Sequence, residues 1–388
     1  MNEYFSVSIF GPRQCGKTTL AKTLFPSFSY ANLEDMNVRS LAKNDPEEFF
    51  TRFPEPVIID EIQRVPELLS TVQVRIDKNQ KKGQYLITGS QQISLKSSIT
   101  QSLAGRTAFV QMLPLSISEL YSANIKLDRD SQLVSGFMPF LYAESGHSPF
   151  EYYKNYVNTY LERDIVQIAA VHDLIRFEKF MRLLAGRVGQ LVNNSILATE
   201  VGVSSTTISS WLSVLEASHV IYTLKPWFKN RNSQVVKTPK IYFCDTGLVS
   251  YLLGIETPEQ MIRDPLLGNI FENFVVIEAL KTRLNLGLEP NLYFFRNSNG
   301  LEIDLILQEQ NKLKLFEIKS GKSLNDEFCR NMKNFSAKYN EEIVSDSTKG
   351  TVIYSGETYE SYKDFGFYNF SNIPQLFESK NQTFRLNF

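Results

Sequence analysis

At 388 residues the chain is long enough for two or three domains of roughly 150 residues each. Its 43% hydrophobic and 21% charged residues can build a buried core, which excludes wholesale disorder. A net charge of −1 excludes a basic nucleic-acid coat, although a local patch stays open.

No apolar run reaches the 18 or so residues of a membrane helix, so no membrane partner is expected. The start, Met1-Asn2-Glu3-Tyr4, lacks a basic stretch followed by an apolar one, and no signal peptide is expected. Cys15, Cys244 and Cys329 are scattered, which fits a reducing, cytoplasmic location rather than a disulfide framework. His147, His172 and His219 do not have metal-ligand spacing.

Residues 4–10 (YFSVSIF) read as a buried strand. Gly11-Pro12-Arg13-Gln14-Cys15-Gly16-Lys17-Thr18-Thr19 follows and fits G-x-x-x-x-G-K-[ST], the phosphate-binding loop. The glycines let backbone N–H groups approach phosphate oxygens, Lys17 brings a positive charge to the β- and γ-phosphates, and the Thr18 hydroxyl can ligand Mg²⁺. The helix opening at Thr19 points its N-terminal dipole at the anion. Residues 29–33 read as a strand. Residues 56–63 (PVIIDEIQ) read as a strand ending in Asp60 and Glu61, the first acid suited to Mg²⁺ and the second to the attacking water. Residues 67–77 read as a helix, and residues 85–87 as a strand tipped by Thr88-Gly89-Ser90, whose polar side chains can reach the γ-phosphate or the water. Residues 109–113 add a strand. The alternation predicts an α/β fold with a parallel sheet that binds ATP and ADP with Mg²⁺.

Residues 149–190 predict an amphipathic helical region, with Tyr153, Tyr156, Val157 and Tyr160 on one stripe. In residues 194–204 a helix ends at Gly202, and Ser204 or Ser205 can cap the next helix, residues 206–215: a helix-turn-helix followed by a β-ribbon that begins at residue 219. Residues 217–244 contain no acid and five basic residues, Lys225, Lys229, Arg231, Lys237 and Lys240, interleaved with Tyr222, Trp227 and Phe228. They form a candidate phosphate-tracking patch, with a protein-contact module as the competing reading.

Residues 269–283 predict a helix, and residues 292–296, 301–307 and 313–319 predict strands. Alternation makes Glu302 and Asp304 share a face of their strand, and Glu317 and Lys319 share a face of theirs. An acid followed by Glu-x-Lys on the next strand can hold a cation and stabilise a pentavalent phosphate. An internal salt-bridge network accounts for the same residues.

These motifs resemble a prokaryotic family of AAA-type P-loop ATPases with a C-terminal domain of uncharacterised function and restriction-endonuclease-like fold. The resemblance rests on Gly11-Pro12-Arg13-Gln14 with Gly16-Lys17-Thr18, Asn32-Leu33-Glu34, Ile59-Asp60-Glu61-Ile62-Gln63, Leu86-Ile87-Thr88-Gly89-Ser90, Leu103-Ala104-Gly105-Arg106, Pro114-Leu115-Ser116 with Glu119, and Tyr160-Leu161-Glu162-Arg163-Asp164-Ile165. It implies an ATPase core over residues 1–125, a helical lid over 126–190, a winged helix over 191–250 and a nuclease-like domain over 255–388. It also implies Asp60 and Glu61 as the Walker B pair, Thr88 or Ser90 as sensor, and Arg106 as a phosphate-sensing or finger arginine. In the nuclease-like domain it implies Asp304 and Glu317 as metal ligands, Lys319 as the charge-stabilising lysine and Glu272 as the acid completing the site. Family members usually carry a segment before the first strand that often helps cover the base, and contacts to the base are left open here. The expected function is a Mg²⁺-dependent ATPase acting on or with DNA through the winged helix and C-terminal domain. An ATP-gated DNA nuclease, an ATP-switched signalling protein and a homo-oligomer assembling on ATP remain open alternatives.

Overall fold

The computed structural model describes residues 3–90, 103–144, 146–161, 173–228, 236–339 and 349–378. They fall into two compact units. The first runs to Pro114 with the short Ala217–His219 stretch, and the second holds Leu115–Glu216 and Val220–Thr383.

Unit 1 is built on five parallel strands: β1 (Ser6–Phe10), β2 (Ser29–Asn32), β3 (Val57–Asp60), β4 (Tyr85–Gly89) and β5 (Thr107–Gln111), in the order β2-β3-β4-β1-β5. Strand side chains alternate between two faces, and each face has its own core. Val7, Ile9, Ile58 and Leu86 pack with Ala21 of α1 (Lys17–Leu24). Phe10, Val57, Ile59, Tyr85 and Ile87 pack with Leu69, Val72 and Ile76 of α2 (Leu68–Asn79). Burial of each such side chain contributes about 1.5–3 kcal/mol. A parallel sheet covered on both faces is the expected α/β architecture. Because all five strands run the same way, the loops after β1, β3 and β4 emerge at one edge, which is where these folds bind ligands.

Unit 2 starts with helices. Arg129–Ser135, Pro149–Tyr156 and Leu174–Ala185 lie in the segment expected to be helical, and Tyr153, Tyr156 and Val157 are buried as the stripe predicted. Residues 162–165 of the last quoted motif lie outside the described residues. Next comes the helix pair α3 (Asn194–Val201) and α4 (Ser205–Ala217). Gly202 closes α3 at φ 85°, a left-handed conformation that favours glycine, and Ser204 Oγ accepts the Thr207 N–H at 3.0 Å to cap α4. Trp211 packs against Phe177 and Phe180 with ring centroids 5.2 Å apart in both cases.

The ribbon after α4 is β6 (Ile221–Pro226) with β7 (Lys240–Phe243), paired antiparallel. It continues into a mixed sheet with β8 (Leu292–Arg296), β9 (Glu302–Glu309), β10 (Lys312–Lys319), β11 (Thr351–Tyr354), β12 (Tyr359–Tyr362) and β13 (Phe365–Asn369). The order is β12-β13-β11-β10-β9-β8-β6-β7. β6 runs parallel to β8 through Lys225 and Pro226, and Trp227 N–H donates to the Phe294 carbonyl at 2.7 Å. Thus the strands expected as a wing are the edge of the C-terminal sheet. Trp227 packs against Phe295, Phe335 and Tyr339 instead of presenting its ring to a ligand. The long helix α5 (Leu267–Asn285) packs with this sheet and supplies Ile270, Phe274 and Ile277 to the interior.

Candidate functional site

In unit 1 the phosphate-binding loop joins β1 to α1. Two residues take left-handed backbone, Gln14 at φ 60° and Gly16 at φ 97°. Gly11 is required by space: a Cβ there would lie 2.0 Å from the Met112 carbonyl oxygen. Lys17 is 5% exposed, and its Nζ donates to the carbonyls of Gly11 at 3.0 Å and Pro12 at 2.7 Å. The ammonium thus lies curled against the loop that would surround the phosphates. Cys15 is fully buried, and burial pushes its thiol up, which favours the unreactive protonated form.

Asp60 ends β3 and gathers three hydroxyl donors. Thr18 Oγ1 donates to both carboxylate oxygens at 2.9 and 3.2 Å, Tyr30 donates from β2 at 2.7 Å, and Thr88 donates from β4. Burial, reinforced by the bond to Asp60, pushes the Tyr30 phenol up, so it stays a donor. A hydroxyl and a carboxylate side by side behind the loop are hard oxygen donors of the kind Mg²⁺ takes with nucleotide phosphates. Thr18 and Asp60 therefore fit that ion.

Glu61 follows in left-handed backbone at φ 60°, and its N–H donates to Thr88 Oγ1 at 3.3 Å. Its carboxylate accepts from Gln63 Nε2 and, at 3.4 Å, from Ser90 Oγ. Gln63 Nε2 also donates to Ser90 Oγ at 2.9 Å, so one amide ties the ends of β3 and β4 together. Gln63 Oε1 is buried with no hydrogen-bond partner. Sequence reading gave neither Gln63 nor Tyr30 a role: Gln63 lay inside the quoted Walker B motif, whereas nothing local marked Tyr30 within the strand read over residues 29–33.

Arg106 lies elsewhere. Its carbonyl accepts the Ser6 N–H at the start of β1, while the loop follows Phe10 at the other end of that strand. Five residues of strand put roughly 13 Å between the two ends. The guanidinium is paired with Asp77 of α2 at 2.7 and 3.0 Å. Within one chain Arg106 thus does not reach the phosphates, and a phosphate-sensing role in its own loop is corrected on that ground.

In unit 2, Asp304 of β9 and Glu317 and Lys319 of β10 do come together. Lys319 Nζ lies 3.2 Å from Asp304 Oδ2 and 2.9 Å from Glu317 Oε2, and Ile318 N–H donates to Asp304 Oδ2 at 2.8 Å. Burial, then the Asp304 charge, pushes Glu317 up to about 9, so it holds its proton at neutral pH. For Asp304 burial works upward, but Lys319 and Lys240 outweigh it and hold the carboxyl below its usual range.

Glu272 of α5 is engaged by two groups from β7: Lys240 Nζ at 2.9 Å and Tyr242 Oη at 2.6 Å. Lys240 Nζ also lies 2.7 Å from Glu302 of β9. Sequence reading placed Lys240 in the exposed phosphate-tracking patch. It is corrected: the residue is 3% exposed and is surrounded by carboxylates. Lys229 and Arg231 of that patch lie outside the described residues, leaving Lys225 and Lys237 exposed. The expected ligands Asp304 and Glu317, with Glu272 completing the site, do not fit a divalent cation in this arrangement. Two ammonium groups already contact these acids, and among the described residues no group of three or more His, Cys, Asp or Glu is disposed to hold a metal.

Comparison with known proteins matches three stretches of the chain. Residues 4–121 match the model described as an AAA domain, residues 127–259 a domain of unknown function (DUF8612), and residues 267–376 a domain of unknown function (DUF4143). Uncharacterized proteins of Mycobacterium tuberculosis and Mycobacterium bovis are each 33% identical over 315 residues, covering 81% of this chain and 70% of theirs. An uncharacterized protein of Haemophilus influenzae is 26% identical over 58% of this chain and 57% of its own length. Among solved structures, the Walker-type ATPase PABY2304 of Pyrococcus abyssi is 14% identical, with a TM-score of 0.38 over 64% of this chain and 91% of that one. No helix among the described residues is long and apolar enough to cross a membrane. With an AAA-type ATPase domain in front and DUF4143 behind, the chain belongs to one family with the mycobacterial proteins.

Proposed function

We propose that this chain is a Mg²⁺-dependent ATPase whose first unit hydrolyses ATP and whose second unit is a docking module switched by the nucleotide. The observation that carries the reading is the Thr18–Asp60 contact behind the phosphate loop, with Glu61 the next residue. Thr18 and Asp60 would hold the Mg²⁺, which neutralises charge on the β- and γ-phosphates. Lys17 would exchange its two carbonyl partners for phosphate oxygens. Glu61 would take the proton of a water whose oxygen bonds to the γ-phosphorus as the bond to ADP breaks. Ser90 and Gln63 would hold that carboxylate in place. Phosphate release with MgATP tests this. Glu61→Gln should keep nucleotide binding and lower kcat by about 10²–10⁴. Lys17→Ala should lose both, and EDTA should stop turnover. Hydrolysis unaffected by either substitution overturns the reading.

For unit 2, electrostatics support a protein partner over DNA. Between Arg187 and Lys225 there is no Lys or Arg, while Glu200 and Glu216 are present, and Arg187 is tied to Glu200. The exposed start of α4 is Ser205, Thr206, Ser209 and Ser210, without the cations that phosphate contact needs. Salt-sensitive binding of duplex DNA by the full chain would overturn this choice. A metal-dependent DNA nuclease is not favoured, because Lys319 already contacts both Asp304 and Glu317; Mg²⁺-dependent DNA cleavage lost in Lys319→Ala would overturn that choice. Homo-oligomers formed on ATP would be seen by sizing the protein with and without nucleotide.

A further inference from the structure

We infer that Lys240 is the resident cation of the carboxylate cluster in unit 2 and that its ammonium closes the cluster to divalent metal. Three elements converge on it. Lys240 comes from β7, Glu272 from α5 and Glu302 from β9, with Nζ–O distances of 2.9 and 2.7 Å. Tyr242, two residues along the same face of β7, donates to Glu272 at 2.6 Å and fixes the carboxylate from the same side. The lysine and Glu272 are 4% and 14% exposed in their side chains, so water does little to screen the pair.

The neighbouring acids have their own ammonium, Lys319, on Asp304 and Glu317. Every carboxylate of the cluster is therefore in contact with a lysine, with Arg296 also 3.5 Å from Glu302. A divalent cation needs several oxygens within about 2.0–2.6 Å of one point. The oxygens that α5 and β9 could offer already converge on Lys240 Nζ. Two cations cannot share that point, because like charges a few ångströms apart in a buried setting repel strongly. β7 is held on both sides, by its pairing with β6 and by bonds of Ile241 to Gly189 and Gln190 and of Phe243 to the Asn273 side chain, so Lys240 is fixed in place.

The inference does not depend on ATP hydrolysis, and its test leaves that activity aside. Full-length protein without nucleotide is titrated with Mn²⁺ and followed by electron paramagnetic resonance and calorimetry. Every protein carries Asp60→Asn, so that retained metal cannot belong to the phosphate loop. The parent should retain no Mn²⁺. Lys240→Met should gain one site, at least about tenfold tighter than any binding by the parent. Adding Asp304→Asn should remove it again. A parent that already binds Mn²⁺ through Asp304 overturns the inference. So does a Lys240→Met protein with native circular dichroism that binds none. Should Lys240→Met fail to fold, Lys240→Met with Glu302→Gln leaves one fewer buried charge uncompensated and keeps Glu272, Asp304 and Glu317. The same gain or absence then decides the question.

Discussion

Replacing Gln63 with methionine separates what that side chain does for turnover from what it does for the fold. The substitution keeps length and volume but removes the amide. Two contacts are lost, one to the Glu61 carboxylate and one to Ser90 Oγ at 2.9 Å. A hydrogen bond to a charged group is worth about 1.5–3 kcal/mol. If that bond holds Glu61 where it can take a proton from water, its loss raises the barrier by a similar amount, which is about 10- to 150-fold in kcat. Substrate contacts are untouched, so KM for ATP should stay within about twofold. The same change removes Gln63 Oε1, a buried acceptor without a partner. Such an atom costs about 1–3 kcal/mol, which offsets most of what the lost bonds contributed, so stability should fall only slightly. Steady-state phosphate release gives kcat and KM, and urea unfolding in the absence of nucleotide gives stability. A variant that turns over within twofold of the parent refutes the role. A variant that is slow because it is unstable refutes it as well.

Other expectations test different parts of the molecule. Lys281 and Glu278 are each 1% exposed and 2.8 Å apart on α5, with Lys281 also donating to the Leu115 carbonyl and Glu278 accepting the Ile117 N–H. Lys281→Met strands a buried carboxylate and should destabilise unit 2 by about 3–5 kcal/mol in denaturant unfolding, with Glu278→Gln added on top restoring part of the loss. Gly11→Ala forces a Cβ against the Met112 carbonyl and should abolish binding of a fluorescent nucleotide while leaving the circular dichroism of the chain nearly unchanged. The Glu317 carboxyl is raised from 4.5 to about 9, so the folded state holds a proton that the unfolded state releases. Its contribution is fully present below pH 4.5 and is lost as pH rises through about 9. Glu317→Gln should therefore flatten the fall of stability over that range, read from thermal melts at a series of pH values.

Much of unit 1 could be read before any coordinates, because its chemistry is written in short contiguous stretches. A loop between strand and helix carries all its phosphate donors within nine residues, Gly11 to Thr19. The acids Asp60 and Glu61 sit at the end of their own strand, whose unbroken apolar run marks it as covered on both faces. The strand period of two grouped Glu302 with Asp304 and Glu317 with Lys319 within their strands, and the antiparallel register of β9 with β10 is what brings Lys319 against Asp304.

Long-range pairing lay beyond that reach. Tyr30 meets Asp60 only because β2 lies alongside β3, thirty residues on. Arg106 follows the Leu-Ala-Gly that marks it in the family, yet parallel pairing of β5 with β1 sends it to the far end of the sheet from the loop. Lys240 looked like part of a basic run because its neighbours in sequence are basic. Its neighbours in space are acids brought from α5 and β9, 32 and 62 residues further along. A charge has the same formal value in either setting. What differs is the water around it, and only the packing of distant strands and helices determines whether a lysine faces solvent or stands as the counter-ion of a buried carboxylate.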